Sequence, residues 1–308
     1  MKFEQGNLPD ALYAKIVKDE GENPYQETDL RSFRTTQLIG PPLPVTLKEE
    51  YGDEITLPAT SRTSMFFGTV LHKMCEGEET DLKKYELPLS RVFTVDDVDY
   101  QLNGTVDELE LDGNEVILTD NKTCLLRNLG YPKPEYDLQL NIYKHLASRQ
   151  LDQHSVYKLR IRYFIKDWTS GSLQKELDKY PDDFAVWLEG NKVAKKSCKT
   201  MEEAALFIPT LSAKLQARAS IVPRDRSAKR AEIAKSIPDS PIHIVDVPVM
   251  TPEDIEAFIK GRIKFHVENP YKTCEVSERW SNDVRCRHFC DVVSVCPYAD
   301  QQGYNNVI

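Results

Sequence analysis

The sequence predicts a mixed α/β fold, and the order of its apolar patterns is the main reason. A run with helical spacing comes first, three alternating runs separated by turn signals follow it, and a second helical pattern precedes a fourth alternating run. This order of helix, three strands, helix and strand differs from a regular βαβ repeat and favours a mixed sheet. The 308 residues are enough for one elaborated domain or two small ones.

The composition excludes several classes of protein. There are 40 Lys and Arg against 49 Asp and Glu, a formal charge of −9, and 40% of residues are hydrophobic. Such a chain buries a core and does not coat nucleic acid through bulk charge, although a local basic groove remains compatible with it. No stretch approaches the roughly 18 apolar residues of a membrane helix, and residues 1–10 lack the apolar region of a secretory signal. We therefore expect a cytoplasmic protein with no membrane partner.

The first predicted helix follows a segment rich in helix breakers. In residues 1–60 regular periodicity is weak, and the run GPPLP at residues 40–44 is expected to stop any helix. Residues 64–74 then carry apolar side chains at helical spacing, with Ser61 or Thr63 as the cap. Gly68 and His72 are four residues apart and therefore share one helix face.

Three strands are predicted next. Residues 85–95 form the first, residues 100–111 the second, and residues 115–119 open the third. The turn between the last two is Asp112-Gly113-Asn114, a strong hairpin signal. The second and third strands are therefore expected to lie side by side.

The remaining elements are a helix, a strand and a C-terminal helix. Residues 134–149 place Tyr136, Leu140 and Tyr143 on one stripe, and residues 156–168 alternate as a strand. Thr251 followed by Pro252 begins another helix with a cap and a proline at its first position. That helix is expected to bury Ile255, Phe258, Ile259 and Ile263.

Residues 192–235 are basic within an acidic chain. They hold eleven cationic and four acidic side chains, a local charge of +7, and a capping box at Thr200–Glu203 starts a helix among them. The basic residues are Lys192, Lys195, Lys196, Lys199, Lys214, Arg218, Arg224, Arg226, Lys229, Arg230 and Lys235. The segment is either a solvated helical face or a surface that contacts a phosphate backbone.

Carboxylates and a lysine follow the apolar parts of the two paired strands. Asp107 ends the second strand, and Asp120 and Lys122 end the third on one face of it. Two carboxylates at neighbouring strand ends offer oxygen ligands to a divalent cation such as Mg²⁺, and a nearby lysine can orient water or balance phosphate charge. Gln139 and Tyr143, four apart on the next helix, are expected to close over this site.

The ordered set His72, Gly104-x-x-Asp107, Asp120-x-Lys122 and Gln139-x-x-x-Tyr143 resembles the signature of the PD-(D/E)XK nuclease superfamily. Within it, the set is similar to the RecB-like exonuclease branch. The resemblance covers roughly residues 60–170, about a third of the chain. It implies a restriction-endonuclease-like mixed sheet core, αβββαβ, and a metal-dependent deoxyribonuclease.

The resemblance also implies a role for each residue. Asp107 and Asp120 would bind the catalytic Mg²⁺ or Mn²⁺, with His72 as a further ligand, the carbonyl of Asn121 completing the shell, and Glu86 as an accessory acid. A histidine ligand makes Mn²⁺ as suitable as Mg²⁺.

The same resemblance assigns the groups around the ion. Lys122 would position and activate the hydrolytic water, and Gln139 and Tyr143 would orient the nucleic-acid strand or the lysine. Taken one at a time, these residues have ordinary alternatives. His72 can be a histidine at the edge of the core, Lys122 a solvated strand end and Tyr143 a core residue.

Four of the seven cysteines cluster near the C-terminus. They are Cys274, Cys286, Cys290 and Cys296, whereas Cys75, Cys124 and Cys198 are scattered. A disulfide framework is not expected in a cytosolic chain of this length, so the quartet predicts a metal site. Four thiolates suit tetrahedral Zn²⁺ or an iron–sulfur cluster, with Cys75 or His288 as substitutes for one ligand.

The cysteine group is similar to that of iron–sulfur RecB-like nucleases, including CRISPR-associated ones. This likeness implies a [4Fe–4S] cluster that fastens the chain end to the nuclease core, with zinc as the alternative. Three residues separate Cys286 from Cys290 where two are usual, and Cys274 replaces a ligand that lies upstream of the histidine motif in those relatives.

These observations predict four regions: an N-terminal extension (1–60), a nuclease core (61–170), a helical basic segment that is a candidate DNA contact (171–250), and a C-terminal helix with the cysteine cluster (251–308). The expected function is an exonuclease on DNA ends or single strands, in repair, recombination or phage- and CRISPR-type processing. A helicase or recombination partner would be a separate chain, because no ATP-binding motif is present. The alternatives are a non-catalytic DNA-binding scaffold and a zinc-binding interaction module.

Overall fold

The computed structural model describes residues 1–21, 25, 28–129, 131, 133–148, 151, 156–190 and 194–304. The chain forms two compact units. The first unit comprises Met1–Lys122, Lys133–Arg162 and Ile244–Ile308, and the second comprises Thr123–Pro132 and Tyr163–His243. In the described part of the chain, no helix combines the length and the apolar character that crossing a membrane requires.

The N-terminal residues are more regular than their sequence predicts. Their elements are β1 (Lys2–Glu4), α1 (Asp10–Gly21), β2 (Ser32–Arg34), α2 (Thr35–Ile39), α3 (Pro42–Tyr51) and β3 (Thr56–Pro58). The proline-rich run ends α2, as predicted, but α3 begins inside it at Pro42. The first residues of a helix have no intrahelical use for their N–H groups, so proline is tolerated there. The expectation that this run stops every helix was therefore wrong.

The central elements follow the predicted order, and the mixed α/β fold is confirmed. They are α4 (Thr63–Cys75), β4 (Lys83–Val95), β5 (Val98–Asp112), β6 (Glu115–Cys124), α5 (Pro134–Ala147) and β7 (Val156–Ile165). The last strand ends three residues before the predicted position 168, and a turn follows it. Position 149, the predicted end of α5, lies outside the described residues.

The second unit has its own sheet and core. It contains α6 (Ser172–Leu177), β8 (Asp183–Leu188), β9 (Lys196–Cys198), α7 (Met201–Phe207), α8 (Ala213–Gln216), β10 (Ala219–Arg224) and α9 (Ser227–Ser236). The strands run in the order β10-β8-β9, all antiparallel, over a core of Val186, Cys198 and Ala204. The predicted cap is present, because the Thr200 hydroxyl accepts a hydrogen bond from Glu203 N–H at 3.1 Å. The segment expected to be helical thus contains a three-stranded sheet as well.

The C-terminal elements are β11 (Ile242–Val247), α10 (Pro252–Glu268), α11 (Val276–Arg279), α12 (Val284–His288) and α13 (Pro297–Gln301). Thr251 caps α10 by accepting from Asp254 N–H, and Ile255, Ile259 and Ile263 of α10 are fully buried. Phe258, which we expected in the same stripe, is half-buried.

A six-stranded sheet positions the candidate site. Its order is β11-β7-β6-β5-β2, and β4 also pairs with β5. The β4–β5 and β5–β6 pairs are antiparallel, whereas β2 runs parallel to β5. A separate core joins α3 and β3 to the C-terminal segment: Leu43, Leu57, Val292 and Cys296 are buried together, with Phe3 packed against them.

Candidate metal centre

Three acidic residues lie on three adjacent strands. The β4–β5 register pairs Tyr85 with Glu108 and Leu87 with Val106 and passes over Glu86, whose backbone φ is +46°. Carboxylate oxygens of Glu86 and Asp107 nevertheless lie within 4.8 Å of each other. The β5–β6 register ends at the pair of Glu108 and Thr119, and Asp107 and Asp120 are the next residues of the two strands. The Asp120 charge is near enough to raise the pKa of Asp107, so the sheet brings the three carboxylates into one region.

His72 of α4 joins this row of acids. Its Nε2 lies 2.9 Å from the carbonyl oxygen of Asn121 and 3.8 Å from Asp107 Oδ2, and its Nδ1 lies 3.6 Å from Glu86 Oε1. The ligand atoms of His72, Glu86 and Asp107 all lie within 4.8 Å of one another. In this structure the Asn121 carbonyl, predicted as a metal ligand, faces the imidazole, while the Asn121 N–H donates to Asp107 Oδ2 at 2.6 Å.

Lys122 and Asp120 form a close ion pair on the same strand face. Lys122 Nζ lies 2.9 Å from Asp120 Oδ1 and 2.6 Å from Oδ2, and Asp120 is almost wholly buried. Oδ2 of Asp120 nevertheless accepts no well-directed hydrogen bond. The charge of Asp120 is therefore balanced chiefly by the Lys122 ammonium, which contacts both of its oxygens.

Three of these groups have shifted pKa values. Burial, reinforced by the Asp120 charge, raises the pKa of Asp107 to about 7. The Glu86 carboxylate is the main cause that raises the pKa of His72 to about 9. Burial lowers the pKa of Lys122, but the attraction of Asp120 outweighs it, and the net shift is upward. A divalent cation would relieve the repulsion between the buried acids, because opposite charge favours their ionised form.

Gln139 and Tyr143 are hydrogen-bonded to each other behind the acids. Gln139 Nε2 donates to the Tyr143 hydroxyl at 2.6 Å, and both side chains are buried. A Cβ on Gly104 would lie 2.6 Å from Cε1 of Tyr143 and 2.9 Å from Oγ1 of Thr35. The glycine of the Gly-x-x-Asp motif therefore makes room for the tyrosine of the second motif.

Several neighbours of the site were missed by the sequence interpretation. Lys122 Nζ lies 5.1 Å from the ring centroid of Tyr136, so this tyrosine of α5, and not Tyr143, faces the ammonium. Buried Glu108 accepts from Arg162 Nη1 at 2.7 Å and also pairs with Lys83. Tyr136 precedes Gln139 by three residues, which places both on one face of α5. That spacing could have predicted Tyr136 as a neighbour of the site. Arg162 is 54 residues from Glu108 in sequence, so no local pattern could have predicted their contact.

All four C-terminal cysteines line one small cavity. Burial is the main cause that raises the pKa of Cys274 to about 12 and of Cys290 to about 11. A tetrahedral zinc ion, with Zn–S of about 2.3 Å, holds its sulfurs within about 4 Å of one another. In the described residues no three thiols meet within the 4.8 Å that unites His72, Glu86 and Asp107. The residues that line the cavity include neither Cys75 nor His288.

Several basic side chains of residues 192–235 form ion pairs with acidic residues of the same unit. Asp183 binds Arg224 and Arg226, and Asp182 accepts from Arg230 at 2.9 Å. The second unit as a whole has 15 Lys and Arg against 11 Asp and Glu, a charge of +4. Lys192 lies outside the described residues. The local excess of +7 is thus partly offset by acids that precede it in sequence.

One solved structure resembles the chain over nearly its full length. It is titled "Crystal structure of SSO0001", with a TM-score of 0.53, 16% sequence identity, and coverage of 94% of this chain and 95% of that one. At this identity the likeness concerns the fold alone. No protein-family model matches the sequence, and no curated protein matches it.

Proposed function

We propose that this protein is a metal-dependent nuclease that hydrolyses phosphodiester bonds in DNA, with a restriction-endonuclease-like core. One observation carries the proposal: the ligand atoms of His72, Glu86 and Asp107 meet within 4.8 Å of one another, and the charge of Asp120, which is paired with Lys122, acts on Asp107. Burial, followed by the Asp120 charge, raises the pKa of Asp107, and a bound cation would favour the ionised form of both acids.

The site residues fit a hard divalent cation, Mg²⁺ or Mn²⁺. Carboxylate oxygens from Glu86, Asp107 and Asp120 are the ligands that such ions prefer, and the imidazole of His72 favours Mn²⁺. When bound, the cation supplies Lewis-acid polarisation of the phosphate and activation of water. Binding would draw the proton from His72, because an imidazole ligates in its neutral form.

Lys122 acts by charge in this arrangement. Its raised pKa keeps the side chain as an ammonium at neutral pH, so it donates hydrogen bonds and does not remove a proton from water. From its position beside Asp120 it orients the attacking water and balances the charge that grows on the phosphate oxygens. Gln139 and Tyr143 are positioning residues, since their bonds to each other leave them behind the acids.

The C-terminal cysteines support a second, structural group. We propose that Cys274, Cys286, Cys290 and Cys296 hold a [4Fe–4S] cluster, because four thiols share one cavity without the close spacing of a single-ion site. Zinc is the alternative. Metal analysis and the visible spectrum of protein purified without oxygen distinguish them: iron with broad visible absorption supports the cluster, and stoichiometric zinc in a colourless sample contradicts it.

The decisive test is cleavage of end-labelled single- and double-stranded DNA with Mg²⁺ or Mn²⁺. The variants Asp120→Asn and Lys122→Met are expected to lose activity by about a hundredfold or more, because each removes charge at the reacting phosphate. Lys158→Met is the matched control, since Lys158 is an exposed lysine of the same sheet that pairs with Glu115. Retained cleavage in both site variants would contradict the proposal. DNA binding without cleavage by the wild type would favour a non-catalytic scaffold.

A further inference from the structure

A groove of about 220 Å³ separates α2 and α3 from the segment around α12. Gln37 and Lys48 line one wall, and Arg285 and Phe289 line the other. These residues all belong to the first unit and lie outside the row of acids. The lining thus combines one aromatic and two cationic side chains.

Phe289 of the Arg285 wall has a second exposed ring, Trp280, beside it, just outside the groove lining. Phe289 is 65% exposed and Trp280 is 48% exposed, with their ring centroids 5.5 Å apart. The guanidinium of Arg285 lies 6.0 Å from the Trp280 ring centroid. Trp280 also adopts a left-handed backbone conformation, with φ of +62°, which is costly for a bulky residue and is retained chiefly at functional sites. Exposed, closely spaced rings beside an arginine form a surface on which flat groups stack.

The charge of the groove is positive inside an acidic unit. The first unit has 25 Lys and Arg against 38 Asp and Glu, a charge of −13. Among the described lining residues the single carboxylate is that of Asp291, and Arg62 binds both of its oxygens, at 2.8 and 2.7 Å. Lys48 and Arg285 are therefore the lining residues whose charges can meet an anion.

The α2 wall of the groove is anchored in the core of the first unit. Thr36 and Gln37 of α2 line the groove, and the preceding residue, Thr35, donates to the Asn103 carbonyl and lies beside Gly104 and Tyr143. Thr35, Asn103 and Tyr143 are buried, so this wall is held in place by the core.

We propose that this groove binds the unpaired part of a nucleic-acid strand, with bases stacked on Trp280 and Phe289 and phosphates against Lys48 and Arg285. A duplex keeps its bases stacked inside, so such a site selects single-stranded nucleic acid. A role for this groove in holding a substrate strand rests on the proposed nuclease function, whereas the groove's own affinity does not.

Fluorescence anisotropy of a labelled thymidine oligonucleotide of about 20 nucleotides, in EDTA so that nothing is cleaved, tests the proposal. Phe289→Ala is expected to weaken binding by about 5- to 100-fold, the range that loss of one base–aromatic stack gives, while Phe289→Tyr retains it. Lys48→Ala is expected to reduce the slope of log affinity against log salt by about 0.7, the value for one phosphate contact to a single strand. Tyr131→Ala, at an exposed ring of the second unit, and Lys260→Ala are the controls.

Three results would contradict the proposal that the groove binds single strands. The first is wild-type affinity of Phe289→Ala for the oligonucleotide, and the second is an equal loss of duplex binding in that variant. The third is displacement of the oligonucleotide by oligoglutamate as effectively as by unlabelled DNA. Hydrolysis of bis(p-nitrophenyl) phosphate with Mn²⁺ reports on the acids alone and is expected to be unchanged in Phe289→Ala. If the wild type does not cleave DNA and Phe289→Ala nevertheless weakens oligonucleotide binding, the nuclease proposal is contradicted and the binding role of the groove is supported. If the wild type cleaves DNA and Phe289→Ala binds the oligonucleotide as tightly as the wild type, the binding role of the groove is contradicted and the nuclease proposal is not.

Discussion

Gly104 shows how one missing side chain links two distant motifs. The Tyr143 ring occupies the space that a Cβ at position 104 would need, so strand β5 and helix α5 meet without a gap at this point. Asp107 is three residues further along β5, and its position therefore depends on how closely the Tyr143 ring packs against Gly104.

Gly104→Ala is expected to destabilise the fold by about 1–3 kcal/mol, because the added methyl group overlaps a buried ring. Urea unfolding measures the free energy, and the DNA cleavage assay should show a larger relative loss than Tyr143→Phe does. Gly261→Ala, in the middle of α10, is the control. A Cβ at position 261 would have no neighbour within 4 Å other than the local helix backbone, and alanine stabilises a helix relative to glycine. Equal effects of the two glycine variants would contradict the steric explanation.

Asp107 carries a cost of burial that a bound cation would offset. It is buried beside Asp120 and close to Glu86, and the charges of His72 and Lys122 compensate it in part. In EDTA, Asp107→Asn is therefore expected to raise the melting temperature by several degrees while abolishing cleavage. Mn²⁺ should raise the melting temperature of the wild type and leave that of the variant nearly unchanged. A lower melting temperature for the variant in EDTA would show that the acids are not under repulsion.

At the scale of elements, helix α10 is joined to α2 by a buried polar contact. Nε2 of His266 lies 3.2 Å from the carbonyl of Leu38 and 3.1 Å from that of Gly40, and Arg262 Nε donates to Leu38 at 2.9 Å. These carbonyls are the unpaired acceptors that the end of a helix leaves. Burial, with the nearby charges of Arg262 and Arg31, lowers the pKa of His266 from 6.5 to about 4.

This joint makes stability depend on pH. The unfolded chain binds a proton at His266 more readily than the folded chain does. The contribution of neutral His266 to the free energy of unfolding is therefore complete above pH 6.5 and decreases as the pH drops from 6.5 towards 4. His266→Gln, which still donates a hydrogen bond but does not titrate, should remove part of that slope in urea unfolding measured at several pH values. Parallel curves for the variant and the wild type would show that His266 does not titrate in this way.

Local patterns were sufficient for most of the central elements. The hairpin signal at Gly113 and the alternation before it predicted β5 and β6, and Thr251 marked the start of α10. Residues 1–60 escaped prediction because β1 and β2 have three residues each, and both pair with partners distant in sequence. Such short strands carry no periodicity of their own, and their conformation follows from tertiary pairing.

The candidate site was predictable in its residue types and incomplete in its partners. Hairpin geometry was sufficient to bring Asp107 to Asp120, because that register is local. Tyr136 and the Glu108–Arg162 pair depend on the approach of α5 and β7, which no local pattern encodes.

At the scale of the molecule, the cysteine segment fastens distant parts of the first unit. Val292 and Cys296 are buried with Leu57 of β3, and Phe3 of β1 packs on them. The Lys2 N–H also donates to the Ile55 carbonyl at 2.9 Å. If a metal group is held in the cysteine cavity, its loss should loosen this whole core.

Cys290→Ser is accordingly expected to lower the iron or zinc content and to reduce the melting temperature by at least about 5 °C. Hydrogen–deuterium exchange should rise in β1 and β3 and stay unchanged in β8 and β10, which belong to the second unit. Cys75→Ser is the control, because Cys75 lies outside the cavity. Unchanged exchange in β1 would contradict a fastening role for the cysteines.

The shared core of β3 and the last cysteines also has a consequence for synthesis on the ribosome. Residues 3 and 57 are translated more than 200 residues before the side chains at 292–299 that cover them. Until those residues emerge, the apolar faces of Phe3 and Leu57 have no permanent cover. The nascent chain is therefore expected to engage chaperones during elongation, and to bury this core only after residues 292–299 have left the exit tunnel.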